Sequence, residues 1–220
     1  MAHRAEEKER RRQERIAQEE AARKAAARRR TLQVGGGVVL GLVVIAVVAI
    51  VALAGGGGSK DKPADTSKLA ADAKAAGCTF SQFKSEGRNH TASKVTYKTN
   101  PPTSGNHNPT PAQDGIYRAG NSPPKENFVH TLEHGRIEFQ YKPGTPAADV
   151  AKLRRLAEEP FNGTAGYHVL LFENNTNMPA QFAATAWTKS ITCPTLSTQA
   201  IGAMREFRQA FTDKGPEFIP

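Results

Sequence analysis

The side chains best suited to chemistry in this chain are imidazoles. Five of its six histidines follow residue 80: His90, His107, His130, His134 and His168. His130 and His134 stand four apart in the run VHTLEHG (129–135). On a helix that spacing places both rings on one face, one turn apart, which suits two ligands of one metal ion. His107 closes the run PPTSGNH (101–107), a loop composition that fixes backbone direction and presents a ring without a helix. His90 follows Gly87, Arg88 and Asn89 in a similar turn-like stretch. Three or four imidazoles make a copper or zinc site, because imidazole nitrogen suits those metals and not magnesium. His107, His130 and His134 are the expected ligands, with His90 as a fourth. Glu133 is expected behind them, orienting a ring.

Two other readings use the same residues. In one, the histidines donate hydrogen bonds that hold Pro-rich loops on a sheet, and no metal is involved. In the other, HTLEH (130–134) matches the H-x-x-E-H pattern of inverted zinc peptidases, with Glu133 as general base beside a zinc-bound water. That pattern is short and needs a secure helix, yet Gly135 and a strand-like run follow at once. Its third ligand would come from a later helix, where Glu158 and Glu159 are available. His168 sits in an apolar run and reads as a core histidine. Met178, before Pro179, reads as packing, although a thioether is also a soft copper ligand. Ser104 has no G-x-S-x-G elbow around it, and the region after residue 54 has neither a phosphate-binding glycine loop nor a C-x-x-C pair.

The elements that must position these residues read as follows. Residues 69–76 suggest a short helix ended by Gly77, and 94–97 a short strand. Residues 136–141 alternate polar and apolar, the pattern of a half-buried strand. Pro146 opens a helix to about residue 159, with Val150, Leu153 and Leu156 on one face. Residues 167–172 and 182–187 read as strands. Residues 196–211 read as a helix, with Ile201, Met204, Phe207 and Phe211 at spacings of three and four. The fold class is α+β: a small mixed sheet covered by two helices.

The rest of the chain bears on location. Residues 34–54 contain no charged or polar side chain, and about 20 apolar residues span a bilayer as a helix. Arg28, Arg29 and Arg30 stand just before this run, so its amino-terminal side is expected in the cytoplasm. A cleaved signal peptide is the competing reading, but its apolar core is shorter, about 7–15 residues. Cys78 and Cys193 both follow the span, and two cysteines on an exported side usually pair; two free thiols are the alternative. The chain has 220 residues and a formal net charge of +9. More than half of that charge sits in residues 1–30, which have no apolar stripe and read as a solvated helix or disordered arm near anionic headgroups. The remainder is only mildly basic, which argues against nucleic-acid binding.

PPTSGNH, VHTLEHG, the pair Ala186-Trp187 and the closing Gly215-Pro216-Glu217 together resemble a bacterial family of membrane-anchored proteins. The family is common in actinobacteria and is known only as a domain of unknown function, numbered three-one-zero-five. The resemblance covers residues 77–218. The family carries a histidine before PPTSG, where His90 stands here. Asn106 replaces a common Pro and Thr131 a common Asn or Ser; neither change touches a histidine. The resemblance implies a bacterial envelope location and no established activity.

The expected organisation is a basic cytoplasmic arm (1–33), one transmembrane helix (34–54), a linker (55–76) and an extracytoplasmic α+β domain (77–220). The expected role is binding, sensing or handing on copper or zinc, with the membrane as one partner and another envelope protein as a second. An envelope interaction module with structural histidines and a metal-dependent hydrolase are the alternatives.

Overall fold

The computed structural model describes residues 66–217 and Ile219. The basic arm and the apolar span at 34–54 lie outside the described residues. Among the described residues, no helix is long and apolar enough to cross a membrane.

Ser67–Ala75, within the stretch read as linker, forms helix α1, which buries Leu69 and Ala73 in the domain core. β1 (Thr79–Gln82) follows. After a long irregular segment come β2 (Gly115–Ile116), α2 (Lys125–Glu133) and β3 (Ile137–Tyr141). Next are α3 (Ala147–Glu158), a small hairpin of β4 (Pro160–Phe161) and β5 (Thr164–Ala165), then β6 (Val169–Glu173). β7 (Phe182–Ala186), β8 (Lys189–Cys193) and α4 (Thr198–Phe211) complete the fold. The main sheet has six strands in the order β1-β8-β7-β3-β6-β2. β3 and β6 pair in parallel, as do β6 and β2; the remaining neighbours are antiparallel. A parallel pair requires a crossover, and α3 supplies it between β3 and β6.

Side chains alternate across a strand, so each strand feeds both faces of the sheet. One face receives Ile137, Phe139, Tyr141, Val169, Leu171, Phe182, Ala184 and Ile191, which pack against α1, α3 and α4 in a single apolar cluster. α4 fits this face through Met204, Phe207 and Phe211, and Ser197 caps it by accepting from the Ala200 N–H at 3.1 Å. The Cys78–Cys193 disulfide joins the start of β1 to the end of β8. The opposite face receives Leu170 and Phe172, which meet Phe128, Val129 and Leu132 of α2 and Trp187. It also receives Glu138, Gln140 and Thr185, all fully buried.

The α+β class and mixed sheet stand, with corrections. Among the described residues four helices surround the sheet instead of two. β3 is buried on both faces, not half-buried, because α2 covers the side that its polar residues occupy. Residues 94–97 are not a strand: Val95 N–H donates to the Glu126 side chain at 3.1 Å, and no ladder forms.

Candidate metal centre

α2 is a nine-residue helix laid on the polar face of the sheet. Phe128, Val129 and Leu132 hold it there, and His130, Glu133 and His134 leave it at spacings of three and four. Gly135 ends it at φ +79°. The Gly135 N–H donates to the Leu132 carbonyl (3.0 Å) and the Arg136 N–H to the Thr131 carbonyl (3.1 Å), a Schellman closure. The glycine that weakens the sequence pattern is therefore the helix terminator.

His107 arrives from the long segment between β1 and β2. Thr103, Ser104 and His107 are fully buried in it. The Thr103 carbonyl accepts from Thr188 N–H (2.8 Å), and Ser104 Oγ accepts from Glu86 N–H (3.1 Å). Gly105 has φ +129°, and a β-carbon there would lie 2.8 Å from the Tyr97 ring, so only glycine fits. His90 is tied to this loop by backbone: Thr91 N–H donates to the His107 carbonyl (2.7 Å) and His107 N–H to the Asn89 carbonyl (3.1 Å). Asn106 Oδ1 accepts from Asn89 N–H at 3.1 Å, a tie that a proline side chain lacks.

These loops and α2 bring four donors together. Ligand atoms of His90, His107, His130 and Glu133 all lie within 4.8 Å of one another. His130, His134 and Glu217 form a second such set, so His134 converges with Glu217 and not with His107. His107, His130 and Glu133 are buried, and His90 is exposed.

The tautomers follow from the partners. His107 Nδ1 lies 2.8 Å from the Gly105 carbonyl and His130 Nδ1 lies 2.6 Å from the Asn108 carbonyl. A carbonyl only accepts, so each Nδ1 carries the proton and each neutral ring keeps a bare lone pair on Nε2. His107 Nε2 is 2.9 Å from Glu133 Oε2, but the contact lacks the alignment of a hydrogen bond, and Nε2 is a buried atom with no hydrogen-bond partner. His130 Nε2 is 2.9 Å from His134 Nε2. Burial pushes the His107 and His130 imidazoles below their usual value. Burial, then the neighbouring His130, brings His134 down to about 4. Burial, then Glu217, pushes the Glu133 carboxyl up. The site thus disfavours a second proton on each ring, the condition a metal ligand needs.

Residues 89–218 match the profile of a family described as "Protein of unknown function (DUF3105)". The chain belongs to the DUF3105 family. Neither the curated proteins nor the solved structures include a match to it. The DUF3105 region contains every member of both donor sets and leaves out α1, β1 and Cys78.

Other sequence candidates lie elsewhere. Met178 is fully buried, and its N–H donates to Asn174 Oδ1. His168 precedes β6 at φ +49°, with Nδ1 2.5 Å from Asp213 Oδ1. Glu158 pairs with Arg154, and Glu159 with Arg205. Glu217 is the cluster carboxylate that residue types alone do not single out; the Gly-Pro before it is the signal that marks it. The Gly105 and Asn108 carbonyls, which set the tautomers, carry no side-chain signature at all.

Proposed function

We propose that this DUF3105 domain is a membrane-tethered extracytoplasmic module that holds a copper or zinc ion on His90, His107, His130 and Glu133. The observation that carries it is the buried Nε2 of His107, a lone pair 2.9 Å from a carboxylate oxygen with no hydrogen bond made. Leaving a buried polar atom unpaired costs about 1–3 kcal/mol, and a cation on both groups removes that cost. Three imidazoles and one carboxylate suit zinc, and copper is compatible with the same nitrogens. A set of four protein donors is complete for tetrahedral zinc, which favours binding over hydrolysis. Glu133, the base a hydrolase would need, is one of the four donors. The Trp187 ring, 6.2 Å from that of His107, supplies part of the apolar wall that keeps water out. The tether rests on the apolar run at 34–54. The outward side rests on the arginines before that run and on the disulfide, which an oxidising compartment preserves.

The test is metal content after equilibration with zinc or copper, for the parent and for His107→Ala and His130→Ala. One ion per parent chain, lost from both folded variants, is expected. Removing a ligand should cost more than the roughly 10–100-fold in affinity that an orienting partner is worth. A folded parent that takes up neither metal overturns the proposal.

A further inference from the structure

Resting on that metal reading, we infer that Glu217 and His134 form an outer receiving position, which takes a hydrated divalent d-block cation and passes it to the inner set, built on buried His107 and Glu133, through His130. Four observations carry it.

The first is that the two donor sets overlap in one residue, His130. Its Nδ1 is committed to the Asn108 carbonyl, so a single lone pair, on Nε2, serves both sets. One lone pair holds one ion, and His130 cannot complete both positions together. The positions are successive, and His130 is the ligand kept during the exchange.

The second is how the outer position is built. The segment 213–217 is fastened by its own backbone to the turn that ends α2. Asp213 N–H donates to the Gly135 carbonyl (2.9 Å), and Glu217 N–H donates to the Glu133 carbonyl (3.1 Å). A β-carbon at Gly215 would overlap the Glu133 carbonyl and the Gly135 nitrogen, so only glycine lets the segment lie this close. The result sets the Glu217 carboxylate 3.6 Å from His134 Nε2.

The third is the gradient of exposure. The Glu217 side chain is 48% exposed and that of His134 12%, against 0% for His107 and 5% for Glu133, the inner pair that His90 covers from the exposed side. A surface carboxylate draws a cation in; a desolvated pair retains it.

The fourth is donor number. The outer set offers three donors and leaves a position for water, as exchangeable sites do, whereas the inner set offers four. Transfer is then a ligand exchange without redox or covalent change. His130 stays bound while Glu133, His107 and His90 replace Glu217, His134 and water.

The experiment is stopped-flow loading of the full-length, metal-stripped protein in detergent with cobalt(II), whose visible absorption reports four-coordinate binding. Release into a chelator is followed in parallel. The variants are Glu217→Gln, His134→Ala, His90→Ala and His107→Ala. Loading and release should both slow about tenfold in Glu217→Gln and His134→Ala, because a lost pathway acts in both directions. His90→Ala should instead speed release, as a lost inner ligand does. Parental rates in Glu217→Gln and His134→Ala overturn the inference, as do two ions per parent chain or slow loading confined to His90→Ala. Faster release from Glu217→Gln also overturns it, by making Glu217 a retaining ligand. If the parent binds no cobalt, the metal reading itself has failed. If His107→Ala abolishes binding while Glu217→Gln loads normally, only the transfer role has.

Discussion

The two faces of the central sheet are made from the same strands and obey different rules. β3 sends Ile137, Phe139 and Tyr141 to one side and Glu138 and Gln140 to the other. β7 sends Phe182 and Ala184 to the first and Thr185 to the second. On the apolar side, burial is non-directional, and stability scales with area removed from water and with packing. On the polar side, every donor and acceptor needs a partner. There Glu138 accepts from Thr185, Asn174 donates to Gln140, and His107 and His130 have their tautomers and lone pairs set beside Glu133. The first side should be sensitive to volume and chain connectivity. The second should be sensitive to one ion or one proton.

The largest effect should come from connectivity on the apolar side. The Cys78–Cys193 bridge spans 115 residues. In the chain-entropy view, a loop of that order is worth roughly 4–5 kcal/mol. Cys78→Ser with Cys193→Ser should lower the denaturant midpoint by that order, equally with and without metal. A loss that zinc restores in full would erase the distinction between the faces.

Volume and ion can then be separated in one experiment. Phe207 is fully buried against Phe80 and Phe211, and Phe207→Ala should cost about 3–5 kcal/mol. That variant should keep the increment from zinc, about 2.7 kcal/mol when free zinc is a hundred times the dissociation constant. His130→Ala should show the reverse: a smaller loss without metal, and no zinc increment. Thermal melts of both variants with and without zinc check this. Zinc stabilisation lost from Phe207→Ala and retained in His130→Ala would contradict it.

The apolar side was also the readable one. α3 and α4 announce themselves by apolar residues three and four apart, and β7 by a short apolar run. α2 does not, because Glu126, His130, Thr131 and Glu133 are all buried and leave no contrast between its faces. β8 hides behind buried Ser190 and half-buried Lys189 and Thr192. The histidines stood out by type, and their convergence did not. It depends on the backbone bridge between His90 and His107 and on the turn at Gly135. Glu217 reaches the site only because Gly215 allows contact with the end of α2. Periodicity reports burial against solvent; it is silent where polar groups are buried against each other.

The smallest effect sharpens the contrast most, because one proton produces it. Glu138 is completely buried, and burial drives its carboxyl well above the usual value despite hydrogen bonds from Thr185, Thr131 and Gln140 that pull the other way. Proton counting agrees. Thr131 Oγ1 has one hydrogen and lies 2.5 Å from the Phe128 carbonyl, which only accepts. Its one hydrogen cannot fully serve Glu138 Oε1, 3.0 Å away, as well, so Thr131 does little to hold Glu138 ionised. Thr185 Oγ1 donates to Oε2 at 2.9 Å. The folded carboxyl thus titrates above 4.5, the ordinary value it has in an unfolded chain. Between those two values the folded state holds a proton that the unfolded chain has released, so stability falls as pH rises. The contribution is complete below about pH 4.5 and declines by at most about 1.4 kcal/mol per unit until the folded group ionises. Glu138→Gln keeps the shape and can still accept from Thr185, yet cannot titrate. From pH 4.5 upward, urea midpoints of the parent should fall relative to those of Glu138→Gln, with or without Phe207→Ala. Parallel slopes for the parent and Glu138→Gln would mean that Glu138 is ionised in the fold and that the polar face tolerates a buried charge.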